Sequence, residues 1–126
     1  GILGSHLAVN GERVWLSSQI VGGLLRLAWP DAPGQRVTPD GAIGAIYDRL
    51  AAHLAATHEL IEFAYDWRKP VEQEAQRLAG VVEAALAARE SSGQPVRFVA
   101  HSMGGVVVLI MLAVLMPVIQ LNTWVR

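Results

Sequence analysis

The stretch VRFVAHSMGGVV, residues 96–107, decides how the chain is read. Phe98, Val99 and Ala100 form a short apolar run, Ser102 and two glycines follow, and a long apolar run comes after Gly105. The first run reads as a buried strand and the second as a buried helix, which puts Ser102 on the turn between them. A serine held there stands out at the C-terminal edge of a sheet. Small residues are needed two before and two after it, so that strand and helix can approach, and the usual pattern is Gly-x-Ser-x-Gly. Here the flanks are Ala100 and Gly104, with one methyl added at the first position. The helix start beneath Ser102 directs N–H groups and the positive dipole end at the site, and the Met103 N–H is placed to receive an oxyanion. The competing reading makes Ser102 only an N-cap, a role serine favours. The strand before and the apolar helix after favour the nucleophile. His101 is tempting as a base, but adjacent residues on a sharp turn point apart, so it is expected to pack at the sheet edge.

Working back from the serine, Gly93 and Pro95 end a helix that Pro70 opens. Val71, Ala75, Leu78, Val82 and Leu86 share one face of it, while Glu72, Glu74, Arg77 and Arg89 are expected to face water. ELIEFAYDW, residues 59–67, reads as a strand through Leu60, Ile61, Phe63 and Tyr65. Before it, Ile43, Ile46, Tyr47, Leu50 and Leu54 recur at helical spacing. Thr38 or Asp40 would cap this helix, with Pro39 in its first turn and an end near Thr57. The opening is turn-rich: LAVNGERVWL, residues 7–16, carries Asn10-Gly11 between apolar residues, a strong hairpin signal, and WPDAPG, residues 29–34, is a loop. The helix after Ser102 is expected to run to about Met116, before Pro117. The order helix, strand, helix, strand, helix predicts an α/β fold: a parallel sheet with helices on both faces, joined by right-handed crossovers.

Composition bounds the function. At 126 residues the chain is long enough for one domain with a core, and 52% hydrophobic against 17% charged residues excludes disorder. A net charge of −1 and the lack of any basic stretch argue against nucleic acid as a partner. There is no cysteine, which removes disulfides, thiolate catalysis and zinc–thiolate sites. His6, His53, His58 and His101 lack metal-ligand spacing, so neither a metal nor a cofactor is expected. The apolar run Val106 to Met116 falls short of the ~20 residues that span a bilayer. No signal peptide is visible, and the compartment stays open.

Three segments together carry a resemblance: GILGSHLAVNGERVWL at the start, FAYDWRKPVEQEAQRLAGVVEAAL in the middle and VRFVAHSMGG near the end. In this order and spacing the chain resembles the lecithin:cholesterol acyltransferase-like family of α/β-hydrolases, most of all its bacterial members. The resemblance reaches to about Val108, and Tyr65-Asp66-Trp67-Arg68 is its most distinctive piece. It implies a three-layer α/β-hydrolase fold, present here only in part. It also implies an enzyme that takes an acyl chain from a lipid ester, holds it on serine and passes it to an alcohol or to water. Ser102 matches the nucleophile. Gly1-Ile2-Leu3-Gly4 matches the family's oxyanion loop, normally Pro-Gly-x-x-Gly, so the Leu3 N–H is the expected partner of the Met103 N–H. Lipid or another ester is the implied substrate, with peripheral contact to a lipid surface. The Tyr65–Arg68 segment could shape the acyl or headgroup pocket. The preferred reading is that Asp66 and Arg68 tie the loop by an ion pair while Trp67 packs. Trp15 is likewise read as a packed residue.

In this fold the triad runs serine, acid, histidine along the chain. The residues after Ser102 contain no Asp, Glu or His. The chain is therefore read as residues 1–126 of the N-terminal part of a single catalytic domain, inactive alone. A truncated, non-catalytic remnant that binds lipid or a partner is the alternative from another class, and an esterase of a non-lipid substrate is a variant of the first.

Overall fold

Asn10 and Gly11 adopt φ values of 52° and 87°, the left-handed pair that a two-residue hairpin turn requires. The hairpin joins β1 (Ser5–Val9) to β2 (Glu12–Trp15), paired antiparallel with Leu7 opposite Trp15 and a register shift between Leu7 and Ala8. The computed structural model of the chain describes residues 1–15 and 20–124, so Leu16, the last residue of the hairpin as read from sequence, lies outside the described residues. The chain divides into two compact units, one of Ile2–Lys69 and the other of Pro70–Arg126 together with Gly1.

In the first unit, β3 (Val37–Ala42) pairs antiparallel with the other side of β1, giving the order β2-β1-β3. Thr38, Pro39 and Asp40 therefore lie in a strand, and they do not start a helix as their capping chemistry suggested. The open flank of β1 offers a complete hydrogen-bonding edge, and β3 is itself an edge strand, where a proline without an N–H is tolerated. Asp40 instead meets Arg13 across the sheet at 2.7 Å. α1 (Ile20–Leu25) lies against β2, and α2 (Gly44–Ala55) begins after Ile43. Leu7, Val9, Val14, Trp15, Leu27, Val37 and Ile43 form the core, with Trp67 packed on it. The apolar positions Ile46 and Leu50 of α2 are exposed.

The second unit is a helix pair. α3 (Val71–Arg89) buries Ala75, Leu78, Val82 and Ala85, and α4 (Met103–Trp124) buries Val107, Met111 and Leu115 at four-residue spacing. Leu86 is exposed, so the face of α3 is centred slightly differently from the one read in sequence. Glu74 is buried and paired with Arg77 at 2.8 Å, contrary to its expected exposure. The Gly93 N–H, at φ 64°, donates to the Arg89 carbonyl and closes the end of α3. α4 does not stop before Pro117 but runs through it. A proline inside a helix forfeits one backbone bond, a cost α4 carries at Pro117.

The expected parallel sheet is not formed. Among the described residues the one sheet is the three-stranded antiparallel β2-β1-β3, accompanied by four helices. Residues 59–67 and 96–100 belong to no strand, and Leu60, Ile61, Phe98 and Val99 are exposed. The physical reason lies in where partners come from. A hairpin brings its own partner within two residues, whereas a parallel strand needs one supplied from far along the chain. Apolar residues of high β-propensity do not make a strand without that partner.

Glycine contacts give a stability test. A Cβ on Gly23 would collide with the Val14 carbonyl oxygen, while Gly80, exposed in the middle of α3, has nothing within 4 Å of its Cβ position. Gly80→Ala is expected to stabilise the chain by about 0.5–1 kcal/mol. Gly23→Ala is expected to destabilise it by about 1–3 kcal/mol, because α1 must move off β2. Denaturant midpoints of the two variants would check both signs.

Candidate functional site

The residue that starts the argument from sequence has an unusual backbone. Ser102 is exposed and has φ 57°, and α4 begins at the next residue, Met103. The first turn of the helix is closed by the Gly104 N–H on the His101 carbonyl at 3.0 Å and the Gly105 N–H on the Ser102 carbonyl at 2.9 Å. Both bonds leave the Met103 N–H in the first turn, where helical donors have no intrahelical acceptor. Gly1 belongs to the same unit, and a Cβ on it would meet the Ser102 Cβ at 3.2 Å and His101 Nδ1 at 3.4 Å. His101 is exposed. The steric need for a small residue at Gly104 is not realised among the described residues, since a Cβ there meets nothing within 4 Å.

Among the described residues, three non-glycine residues have positive φ: Asn10, Leu3 at 61° and Ser102. Asn10 is explained by its turn. A leucine and a serine held in the left-handed region each cost about 1 kcal/mol or more, and such strain gathers at working sites. Leu3 and Ser102 are two of the three residues marked in the sequence as carriers of the chemistry. Leu3 lies in the first unit, half-exposed, and its carbonyl accepts the indole N–H of Trp15 at 3.1 Å.

The Tyr65–Arg68 segment is a tether. Asp66 is 0% exposed, and the Arg68 side chain is 4% exposed. Arg68 grips Asp66 through Nε to Oδ1 at 2.9 Å and Nη2 to Oδ2 at 2.6 Å, a bidentate pair. Its Nη2 also reaches Asp31 at 3.0 Å, its Nη1 donates to the Ala28 carbonyl at 3.1 Å, and its guanidinium lies 5.8 Å from the Trp29 ring centroid. Burial alone would lower the arginine's pKa, but the hydrogen bonds and charges of Asp66 and then Asp31 outweigh it and raise the pKa above its ordinary value. The pair fastens residues 28–31 to residues 66–68, as the ion-pair reading expected. Trp67 packs edge-on to Trp15, with ring centroids 5.6 Å apart, and Trp15 is buried.

The histidines are dispersed: His6 donates from Nδ1 to the Trp15 carbonyl at 2.9 Å, His58 bonds Thr57, and His53 is exposed on α2. Among the described residues no cluster of three metal-ligating side chains exists, and no helix is long and apolar enough to cross a membrane. The positive φ of Leu3 and the buried Glu74 were not visible in the sequence. Neither has a local signal, because a leucine in the left-handed region and a buried glutamate both run against the preferences of their residue types.

A model of the lecithin:cholesterol acyltransferase family matches residues 44–126, more than half of the chain. The chain belongs to that family. Membership gives it a function of the lipid acyltransferase or hydrolase type. The match takes in the Tyr65–Arg68 tether, the helix pair and Ser102, and it continues through residues 109–126, which the reading from sequence had set apart from the family pattern. It begins after the Gly1–Gly4 loop, whose likeness to the family rests on the residues themselves. No curated protein and no solved structure matches this lecithin:cholesterol acyltransferase family chain significantly.

Two variants probe this geometry through stability. Ser102→Gly is expected to be about 1 kcal/mol more stable than Ser102→Ala, since glycine alone accepts φ 57° without strain. Equal midpoints would mean that the serine carries no backbone strain. Arg68→Ala should cost about 3–5 kcal/mol by leaving Asp66 buried without its main partner, and Asp66→Leu combined with Arg68→Met should recover part of that loss. Urea titrations of the three proteins measure both changes.

Proposed function

We propose that Ser102 is the nucleophile of a serine-dependent acyl transfer on lipid esters, and that the chain is the N-terminal part of the catalytic domain that performs it. The observation that carries this reading is the backbone of Ser102: exposed, at φ 57°, directly before the first turn of a long apolar helix. An N-cap serine has a β-region backbone, so a mere cap gives no reason for the left-handed conformation. Membership of the lecithin:cholesterol acyltransferase family supports the lipid substrate.

In the proposed reaction the Ser102 Oγ adds to the ester carbonyl as a base takes its proton. The tetrahedral oxyanion accepts a hydrogen bond from the Met103 N–H, and the likeness of Gly1–Gly4 to the family's oxyanion loop offers the Leu3 N–H as a second donor. The alcohol then leaves with the proton that the base returns, and the acyl group stays on Ser102 until another alcohol or water removes it. Removing one such oxyanion donor costs about 3 kcal/mol of transition-state stabilisation in enzymes of this kind. What supports Met103 is its place at the helix start; what supports Leu3 is its match to the oxyanion loop and its positive φ. The base and the acid are proposed to lie beyond these 126 residues, since none of the side chains after Ser102 is Asp, Glu or His. Exposed Ile2, Val21, Leu24 and Leu25 support peripheral contact with a lipid surface.

A lipid-directed phosphonate tests the proposal, because it bonds only to an activated serine. The longer enzyme should be labelled and its Ser102→Ala variant should not, while the 126-residue chain should show no Ser102-dependent ester turnover. A folded wild-type enzyme that resists the probe would favour the non-catalytic remnant instead. Equal labelling of both proteins would move the nucleophile elsewhere.

A further inference from the structure

Leu3 is held at φ 61° although nothing about a leucine favours that conformation. The carbonyl side of the loop is held by three donors. Trp15 Nε1 donates to the Leu3 carbonyl at 3.1 Å, the Ile43 N–H donates to the Gly4 carbonyl at 3.0 Å, and Trp67 Nε1 donates to the Ser5 carbonyl at 3.1 Å. Two indole N–H groups thus grip the carbonyls on either side of Gly4. The two indoles are themselves locked edge to face, with centroids 5.6 Å apart and planes at 67°. Trp15 is further held by its place opposite Leu7 and by the His6 Nδ1–H on its own carbonyl at 2.9 Å. Trp67 follows Asp66, whose bidentate pair with Arg68 fixes the segment.

We propose that Trp15, seconded by Trp67, is a positioning residue: its indole N–H holds the Leu3 peptide in the left-handed conformation that aims the Leu3 N–H. This rests on the reading of Leu3 as an oxyanion donor. The clamp acts on the backbone and not on substrate, so Trp15 sets the conformation of Leu3 without touching the reacting atoms. An indole suits this task, since it combines a buried, rigid ring with one directed donor at its edge. Phenylalanine at the same position would keep most of the packing and lose the donor.

The test has two arms. In the 126-residue chain, nuclear magnetic resonance should show the strong intraresidue amide–Hα Overhauser effect of a positive φ at Leu3. Trp15→Phe should abolish it while leaving the β1–β2 hairpin shifts in place, and Leu3→Gly combined with Trp15→Phe should keep the loop signals of Leu3→Gly. Persistence of the Leu3 effect in Trp15→Phe would overturn the proposal. Should that variant not fold, the wild-type indole protons decide: the Trp15 Nε1–H must exchange at least tenfold more slowly than that of half-exposed Trp29, and comparable rates overturn the clamp. In the longer enzyme, Trp15→Phe should lower phosphonate labelling of Ser102 and kcat at least tenfold with KM unchanged, the signature of a lost transition-state interaction. Unchanged kcat with a displaced Leu3 would overturn the catalytic role of the clamp. A wild type that is never labelled would instead defeat the nucleophile reading, and the resonance arm would still decide the clamp.

Discussion

Three consecutive carbonyls, those of Leu3, Gly4 and Ser5, set the order of the first unit. Each accepts a donor from a different part of the chain: the indole of Trp15 in the hairpin, the backbone of Ile43 before α2, and the indole of Trp67 beside the tether. The Ser5 hydroxyl adds a fourth bond, accepting the Tyr65 N–H at 3.1 Å. Backbone polar groups shut away from water must find partners. Here that requirement joins residues up to 62 apart in sequence around the end of one five-residue strand. The small antiparallel sheet could not by itself fix the 65–68 segment, and these bonds do so.

The buried Asp66–Arg68 pair serves the same end by different physics. Two charges removed from water need close partners, and Arg68 spreads its donors over Asp66, Asp31 and the Ala28 carbonyl. Such a pair gives little net stability compared with apolar side chains of equal volume, but it admits few alternative arrangements. It holds residues 28–31 and 66–68 in one register, and Trp67 inherits its position from it. The second unit has the opposite character. α3 and α4 meet through aliphatic and thioether side chains, Leu78 and Val82 on one helix and Val107, Met111 and Leu115 on the other. Its departures from local preference are the left-handed serine at the start of α4, the buried Glu74 and the proline inside α4.

What the sequence determined by itself were the local features. Asn10-Gly11 specified its turn because only residues at ease with positive φ can make it. Pro70 and Gly93 bounded α3, and the residues around Ser102 marked a helix start, since capping and turn chemistry act within a few positions. The membership of an acyltransferase family was also legible, through Tyr65–Arg68 and the residues around Ser102. The sheet was not. Residues 60–65 and 96–100 have the composition of buried strands, yet strands exist only as hydrogen-bonded partners, and a partner is a tertiary fact. The same holds for Thr38 to Asp40, whose capping chemistry lost to the open edge of β1, and for Glu74, buried because Arg77 pairs with it one turn on. Tertiary structure alone decided the conformation of Leu3: its strain is offset by a tryptophan twelve residues away, at a distance no local preference can read.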